Sequence, residues 1–502
     1  MPDGRLLRLP GRDRRHPEPP GLHGDGRPRH AHRAPARRAG GAAVSDFDLA
    51  VIGAGPAGMA AAVEARLQGL IVLVVDENAA PGGQVFRAAE ACAPDPAVGP
   101  DIMPGLPLIA AFRGCGADYR AATTLWHLDP EEGVLSLAAA GTTETVTARR
   151  VLLATGAQER PVPIPGWTLP GVMGAGAAQI LLKTAGAVPV GPTVLAGQGP
   201  LVWLLAVQLA RAGVAPLVLE TRTVSIAAAL AKAGGGLVAG RGLLAKGLSL
   251  MAEARRRGVR VIRGVRGLRA EGANRVERVA WEGGSAPCDT LLLHEGVIPS
   301  THVSRAIGLD HAWDADQACW RPVADDFGAT SSARVAVAGD GAGIGGWQAA
   351  AAAGRLAALD AARRLGALSE DSFAREIAAP LAARRAALAL RPFLDALYAP
   401  PNAVLTPPDE TIACRCEEVT AGAIRRAAAL GATGPNQLKA YLRCGMGPCQ
   451  GRVCAPTVAA LIAEVRGLAP QEVPPLRPRA PYKPVTVGML AASAESLQQS
   501  AP

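Results

Sequence analysis

The chain has 502 residues, of which 49% are hydrophobic and only 3% aromatic, a composition that favours helix-rich α/β packing over an all-β fold. The formal net charge is +9, but residues 1–44 contribute ten arginines against four acidic residues. The remaining 458 residues therefore carry only +3, which argues against a nucleic-acid partner.

The first 44 residues are rich in Pro, Gly, Arg and His and show no hydrophobic period, so we expect a disordered basic head. We expect the natural start near Val44. Arg14-Arg15 is not followed by an apolar segment, which argues against a twin-arginine signal. No run of about 18 apolar residues occurs, so no transmembrane helix is predicted. We expect a cytoplasmic protein, with attachment to the periphery of the inner membrane left open.

A dinucleotide-binding βαβ unit is predicted over "FDLAVIGAGPAGMAAAVEARLQGLIVLVVDE". An apolar strand leads into a glycine-rich turn, an alanine-rich helix follows, and a second apolar strand ends in Asp76-Glu77. Such a turn places the pyrophosphate at the helix N-terminus, and an acidic residue after the second strand binds the ribose. Spacing does not decide between Asp76 and Glu77. The candidate contacts in the turn are Gly53, Gly55, Pro56, Ala57 and Gly58.

Three further motifs resemble the two-dinucleotide-binding flavoproteins of the glutathione-reductase and thioredoxin-reductase class. They are "PGGQVFR", with Gly83, Gln84 and Arg87, "VLLATGAQERPVPIPG", with Thr155 and Gly156, and "VAVAGDGAGIGG", with Gly339 and Asp340. The resemblance implies an FAD site in which Asp340 bonds the ribityl chain of the flavin. The alternative role for Asp340 is a helix N-cap.

A second βαβ unit is predicted over "PTVLAGQGPLVWLLAVQLARAGVAPLVLE". Gly197 and Gly199 occupy the first two glycine positions, Val202 occupies the third, and Glu220 ends the next strand. The segment resembles the NAD(P)H-binding insert of the same flavoproteins. Because valine replaces the close-packing glycine, the alternatives are NAD(P) binding, binding of another nucleotide, and a vestigial domain. No CxxC or CxxxxC motif follows the FAD elements, so disulfide-reductase chemistry is not expected.

Five cysteines lie close to the C-terminal end: Cys414, Cys416, Cys444, Cys449 and Cys454. A [2Fe–2S] cluster needs four terminal thiolates, and spacing alone does not choose the second pair. A predicted helix ends at Cys444, and the glycine-rich loop after it offers backbone N–H groups to a cluster, which favours Cys449 and Cys454. The segment also resembles bacterioferritin-associated ferredoxin, and this resemblance implies the ligand set Cys414, Cys416, Cys449 and Cys454. The alternative is a structural zinc site, although zinc ligands more often occur as CxxC pairs.

These motifs predict an α/β protein with two Rossmann-like domains and a small, mostly helical [2Fe–2S] domain. We expect an FAD-binding domain in residues 45–165 and 296–370, a second dinucleotide-binding-like domain in 166–295, a helical linker in 371–405, a [2Fe–2S] domain in 406–470 and an extended tail in 471–502.

The combination over roughly residues 45–485 resembles the large subunits of opine oxidase, D-hydroxyproline dehydrogenase and hydrogen cyanide synthase. This resemblance implies that a partner flavoprotein subunit oxidises an amino acid, imino acid or opine, and that the present chain passes the electrons onward. A small ferredoxin-like subunit is a further expected partner. The alternatives are a self-contained NAD(P)H-dependent reductase, and a non-catalytic redox sensor, iron sensor or zinc docking module.

Overall fold

The computed structural model describes residues 46–92 and 95–491, and the backbone of the short strand Leu7–Arg8. Apart from that strand, the predicted disordered head lies outside the described residues. None of the helices within these ranges is both long and apolar enough to cross a bilayer.

The first domain is built on a sheet whose central strand is Phe47–Ile52. That strand pairs in parallel with Val72–Val75 and with the end of Thr142–Leu153. All four residues of Val72–Val75 are buried, as expected for a parallel strand covered on both faces. The other strands of this sheet are Asp118–Arg120, Thr124–Asp129, Val134–Ala139 and Val335–Val337.

Two alanine-rich helices pack closely on one face of this sheet. They are Pro56–Leu67 and Trp347–Arg364. A Cβ atom on Gly354 would lie 2.0 Å from the backbone oxygen of Ala57, so only small residues allow this approach. Shorter helices cover the rest of the domain: Ala89–Cys92, Gly99–Ile102, Met103–Gly105, Leu106–Gly114, His302–Ala306 and Gly339–Gly341.

The second domain contains a parallel sheet in the order Arg260–Arg263, Leu217–Glu220, Thr193–Gln198, Thr290–Glu295 and Val172–Gly174. Its helices are Ala175–Ala185, Pro200–Arg211, Ile226–Leu230, Gly236–Ala239 and Arg241–Arg256. An antiparallel sheet is added by Arg269–Glu271, Arg278–Trp281 and Gly284–Pro287. The two crossovers between the domains, Ala157–Glu159 and Val297–Pro299, pair antiparallel with each other. Two further antiparallel pairs are Leu7–Arg8 with Val188–Pro189, and His311–Asp314 with Cys319–Pro322.

After the helix Trp347–Arg364 of the first domain, the chain forms the helices Glu370–Glu376, Ala378–Leu388, Arg391–Leu397 and Asn402–Leu405. The C-terminal domain has its own apolar core, which includes Ile424, Leu438 and Leu461. Its elements are the strands Ile412–Cys414 and Val419–Thr420, the helices Ala421–Ala429, Pro435–Leu442 and Ala455–Arg466, and the turn Pro470–Glu472. The predicted class, α/β with a small and mostly helical C-terminal domain, is confirmed.

Candidate functional site

The first glycine-rich turn tolerates side chains poorly. Gly53 has φ +111°, and a Cβ atom there would lie 2.4 Å from the oxygen of Ala154. A Cβ on Gly58 would lie 1.8 Å from the oxygen of Gly53, which is the close packing of helix on strand that the motif requires. Pro56 is the first residue of the helix, and Ala57, the second, is buried. The helix N-terminus is therefore held at the carboxyl end of the central strand, where a pyrophosphate binds.

The loop containing Gly83 faces this turn. A Cβ atom on Gly83 would lie 2.9 Å from Cα of Gly55, so two glycine backbones approach each other where the dinucleotide is expected. In the same loop, the Arg87 guanidinium donates a 3.0 Å hydrogen bond to Gln84 Oε1 and a second bond to Asn78 Oδ1. Arg87 therefore ties this loop to the segment that follows the second strand. This geometry leaves backbone rather than side chains beside the expected phosphates.

Asp76 and Glu77 face different surroundings. Asp76 is 6% exposed, and its Oδ2 accepts a 2.5 Å hydrogen bond from the N–H of Ala54, inside the glycine-rich turn. Glu77 is exposed and forms a 2.8 Å ion pair with Lys483. The geometry favours Asp76 as the ribose ligand, and this assignment stays a prediction.

Thr155, Gly156, Gly339 and Asp340 lie at the same edge of the sheet. Thr155 Oγ1 donates to the oxygen of Ser300 at 2.9 Å, and a Cβ on Gly341 would lie 3.1 Å from Thr155 Oγ1. Asp340 Oδ1 accepts the N–H groups of Gly345 and Gly346 at 2.9 and 3.0 Å, just before the helix Trp347–Arg364. One carboxylate oxygen of Asp340 therefore organises the helix start. The predicted flavin contact of Asp340 remains a prediction.

Lys183 is a residue near this site that the sequence did not indicate. It extends from the helix Ala175–Ala185 of the second domain and is buried. Its Nζ donates to the main-chain oxygens of Gln84 and Val85 at 3.2 and 3.0 Å. Burial lowers the pKa of Lys183 to about 8. A single lysine in an amphipathic helix carries no local signal, so its role in holding the loop emerges only from the tertiary structure.

The second glycine motif keeps the steric demands of a dinucleotide fold at its first position. A Cβ on Gly197 would lie 1.8 Å from the oxygen of His294, whereas Gly199 is less crowded. Val202 is almost fully buried, so valine is accommodated at the close-packing position. Glu220 is buried and already paired, with Arg222 at 3.3 Å and Arg263 at 3.2 Å.

The edge of the second sheet is also covered by the chain itself. Gln198 Nε2, at the carboxyl end of one strand, donates a 2.9 Å hydrogen bond to the oxygen of Ala399. Burial raises the pKa of the neighbouring Tyr398, and the charge of Glu220 raises it further. Ala399 therefore bonds the end of the strand where the pyrophosphate of a dinucleotide is expected.

His294 and Glu295 lie at the carboxyl end of the strand Thr290–Glu295 in the same sheet. His294 Nδ1 lies 2.7 Å from Glu159 Oε1, which also accepts the N–H of Gly176 at 3.0 Å. His294 is therefore a hydrogen-bonded histidine at the end of its strand. Glu295 is buried and accepts a 2.6 Å hydrogen bond from Thr221 Oγ1. Burial raises the pKa of Glu295 to about 7.

The cysteine sulfurs converge in the C-terminal domain. The Sγ atoms of Cys414, Cys444 and Cys454 lie within 4.8 Å of one another, and all three residues are buried. Cys416 is exposed, and its thiol contacts that of the half-buried Cys449. The buried group therefore contains two of the four predicted ligands, Cys414 and Cys454, together with Cys444, which the resemblance leaves out of the ligand set. Which four bind the cluster stays a prediction.

The surroundings of Cys414 suit an anionic sulfur. Hydrogen bonds from the thiols of Cys444 and Cys454, and from the backbone N–H groups of Gly445 and Glu417, lower the pKa of Cys414 to about 2. Gly447 packs on Cys416, since a Cβ on Gly447 would lie 2.3 Å from that of Cys416. Thiolate donors together with inward-facing backbone N–H groups fit an iron–sulfur cluster.

Two hydrogen bonds connect the C-terminal domain, here called the cysteine domain, to the segment that follows the Thr155-Gly156 turn. Gln158 Nε2 donates to the oxygen of Arg452 at 2.7 Å, between Cys449 and Cys454. Trp167 Nε1 donates to the oxygen of Ile412 at 2.7 Å, two residues before Cys414. The loop between Cys449 and Cys454 and the strand that contains Cys414 are thus both bonded to the segment that follows Gly156.

Comparison of the sequence with known protein families identifies the family of this chain. The pyridine nucleotide-disulphide oxidoreductase profile matches residues 47–354. The chain belongs to the pyridine nucleotide-disulphide oxidoreductase family. The BFD-like [2Fe-2S] binding domain profile matches residues 412–464 of this oxidoreductase. FAD and a [2Fe–2S] cluster are therefore its cofactors, and the glycine cradle and the thiol set described above fit them.

Relatives of this oxidoreductase match along most of its length. It is 47% identical over 465 residues to an opine oxidase subunit of Agrobacterium tumefaciens (strain Ach5), covering 89% of this chain and 92% of the relative. It is 32% identical over 453 residues to hydrogen cyanide synthase subunit HcnB of Pseudomonas aeruginosa, covering 87% and 96%. The predicted resemblance to this group is confirmed.

Among solved structures, this oxidoreductase shares its fold with L-proline dehydrogenase from P. horikoshii. The TM-score is 0.64 at 19% sequence identity, and the match covers 88% of this chain and 79% of the other. This likeness supports the assignment of the fold.

Proposed function

We propose that this oxidoreductase is the electron-relaying subunit of a heteromeric enzyme in which a partner flavoprotein oxidises an amino acid, imino acid or opine. The names of its relatives as enzyme subunits support a partner, and the name opine oxidase supports the substrate class. FAD accepts two electrons and releases them singly, whereas a [2Fe–2S] cluster carries one electron at a time.

The observation that carries the proposal is the hydrogen bond between Gln158 and Arg452. Gln158 lies two residues after Gly156 in the expected flavin site, and Arg452 lies two residues before Cys454. This contact supports two cofactor sites that lie close together within one chain. The role of the polypeptide is to hold them at a fixed separation, and no acid–base residue is needed for electron transfer.

NAD(P)H is a less suitable electron donor for this chain. Glu220 is already paired with two arginines, and Gln198 of the second glycine-rich turn is bonded to Ala399. These contacts favour the relay over a self-contained NAD(P)H-dependent reductase. The match to a [2Fe–2S] binding domain likewise favours the relay over a zinc docking module.

Anaerobic spectroscopy of the chain co-expressed with its partner flavoprotein tests the proposal. We expect flavin absorption bands, and an EPR signal of a reduced [2Fe–2S] cluster after addition of an opine or imino acid. The chain without its partner should give the same signal with dithionite and no signal with the substrate. Reduction of the isolated chain by the substrate would contradict the relay role, because the substrate site would then lie on this chain.

A further inference from the structure

We propose that residues 474–483, here called the C-terminal strap, hold the cysteine domain against the first domain, the flavin domain, and cover one side of residues 444–454, here called the cysteine loop. The proposal rests on the electron-relay function for its purpose, but its structural test is independent of that function. The strap leaves the cysteine domain after the turn Pro470–Glu472 and reaches the sheet of the first domain.

At its first end the strap packs on the cysteine loop. Leu476 is 5% exposed, and a Cβ atom on Gly451 would lie 2.0 Å from its Cδ2. A Cβ on Gly445 would lie 3.2 Å from the same atom. Leu476 therefore covers two glycines of the cysteine loop, Gly445 and Gly451. A larger residue at either position would displace the strap. An apolar side chain here removes water from one side of the thiol cluster.

Polar contacts fix this part of the strap in register. The side chain of Asn436, in the first turn of the helix Pro435–Leu442, donates to the oxygen of Pro475 at 3.2 Å and accepts the N–H of Arg477 at 3.0 Å. Gln450, which directly follows Cys449, donates through Nε2 to the oxygen of Pro481 at 2.5 Å. The strap is thus bonded both to the cysteine domain's helix and to the cysteine loop itself.

At its other end the strap docks on the strand Thr124–Asp129, which lies at the edge of the first domain's sheet. Tyr482 is 3% exposed. Its N–H donates to the oxygen of Trp126 at 2.8 Å, and its hydroxyl bonds both the N–H and the oxygen of Leu128 at 3.2 Å. Edge strands present free backbone groups, and Tyr482 satisfies those of Leu128 with a side chain. Lys483 adds the ion pair with Glu77.

As a consequence, the cysteine domain is attached to the flavin domain through two segments of the chain. The helical segment enters the cysteine domain at one side, and the strap returns from it to the flavin domain. A second attachment restricts the positions that the domain samples, which raises the fraction of time spent in the docked geometry. The strap therefore acts as a positioning element for transfer between the cofactors.

The test compares the full chain with the double variant Tyr482→Ala/Lys483→Ala and with Tyr441→Ala, an exposed tyrosine on the cysteine domain. Amide hydrogen exchange of residues 124–129 reports docking, whether or not cofactors are bound. Flavin-to-cluster electron transfer is followed after photoreduction of the flavin with deazariboflavin. FAD and iron contents are measured in parallel.

We expect the double variant to keep its FAD and iron, to exchange the Leu128 amide at least tenfold faster, and to transfer electrons at least tenfold more slowly, with Tyr441→Ala unchanged. Unaltered exchange and unaltered transfer in the double variant would overturn the proposal. If the double variant fails to fold, Tyr482→Phe keeps the ring and loses both hydroxyl bonds. Faster exchange at Leu128 in this variant supports the strap, and wild-type exchange contradicts it. A wild-type chain without an iron–sulfur signal would refute the relay function, while the exchange measurement would still decide the strap.

Discussion

Gln158 and Arg452 are separated by 294 positions in the sequence, yet the side-chain amide of the first donates a 2.7 Å hydrogen bond to the main-chain oxygen of the second. Gln158 belongs to the crossover strand Ala157–Glu159, and Arg452 to the loop between Cys449 and Cys454. The contact joins the segment after the expected flavin site to the loop of the expected cluster site. The relay function therefore depends on how the domains dock as well as on the cofactors that each binds.

Removal of this contact should loosen the docked domain. Gln158→Ala leaves the oxygen of Arg452 without its donor, and we expect a loss of about 1 kcal/mol in the free energy of docking, with FAD and iron contents unchanged. Flavin-to-cluster transfer, measured after photoreduction, should slow accordingly. Gln471→Ala is the matched control, because Gln471 is an exposed glutamine in the turn Pro470–Glu472. Equal transfer rates in both variants would show that the Gln158 contact is not needed.

The glycine-rich turn should not tolerate a methyl group at Gly58. The added Cβ would lie 1.8 Å from the oxygen of Gly53, so Gly58→Ala should destabilise the domain by about 3 kcal/mol or more and remove most of the bound FAD. Flavin absorbance per chain and thermal unfolding measure both effects. Gly114→Ala is the control, because Gly114 is exposed and a Cβ there meets no atom within 4 Å. Full flavin content in Gly58→Ala would contradict the assigned site.

The cysteine assignment is decided by two single variants. If Cys414, Cys416, Cys449 and Cys454 are the ligands, Cys444→Ala keeps the cluster, and Cys454→Ala lowers iron and acid-labile sulfide to background. Iron analysis and EPR after dithionite provide the measurement. The reverse result would place Cys444 in the ligand set, which its position within 4.8 Å of Cys414 and Cys454 allows sterically.

Nicotinamide nucleotides should not reduce the flavin of this chain. Because Gln198 is bonded to Ala399 and Glu220 is paired with arginines, we expect dissociation constants weaker than about 1 mM for NADH and NADPH. Anaerobic stopped-flow absorbance and calorimetry measure reduction and binding. Dithionite serves as the positive control for reduction. Rapid bleaching of the flavin by either nucleotide would support the self-contained reductase instead.

Glu295 should make stability depend on pH. Burial raises the pKa of this carboxyl from 4.5 to about 7, so the folded state holds its proton more tightly than the unfolded state. The favourable contribution is complete below pH 4.5 and is lost as the pH rises through about 7.

Glu295→Gln removes this titration and keeps an oxygen that accepts from Thr221. Relative to wild type, the variant should gain up to about 3 kcal/mol in unfolding free energy between pH 4.5 and pH 7, an upper bound for a shift of this size. Thermal unfolding at pH 5 and pH 8 measures the difference. The exposed Glu132→Gln should show no such trend, and a parallel response of the two variants would refute the role of Glu295.

Sequence motifs predicted the fold class and both cofactors. The reason is steric and local: Gly53 and Gly58 occupy positions where a Cβ atom would strike backbone, so the requirement for glycine is written in the sequence. The cysteines carry comparable information, because few chemistries need five thiols within some forty residues. The choice among these thiols was harder, since loop geometry and spacing treat Cys444 and Cys454 almost alike.

Tertiary structure decided what adjacent or distant residues do. Asp76 and Glu77 are chemically similar neighbours, and only the fold buries one against Ala54 and leaves the other to Lys483. Lys183 and Tyr482 gave no sequence signal, because their partners lie about a hundred or more positions away and belong to another domain. By itself, the sequence determined which cofactors this protein binds, through local steric and ligand requirements. Only the tertiary structure decided how the two cofactor sites are connected and that Ala399 bonds the second glycine-rich turn. These contacts join residues that lie far apart in the sequence, so no single segment predicts them.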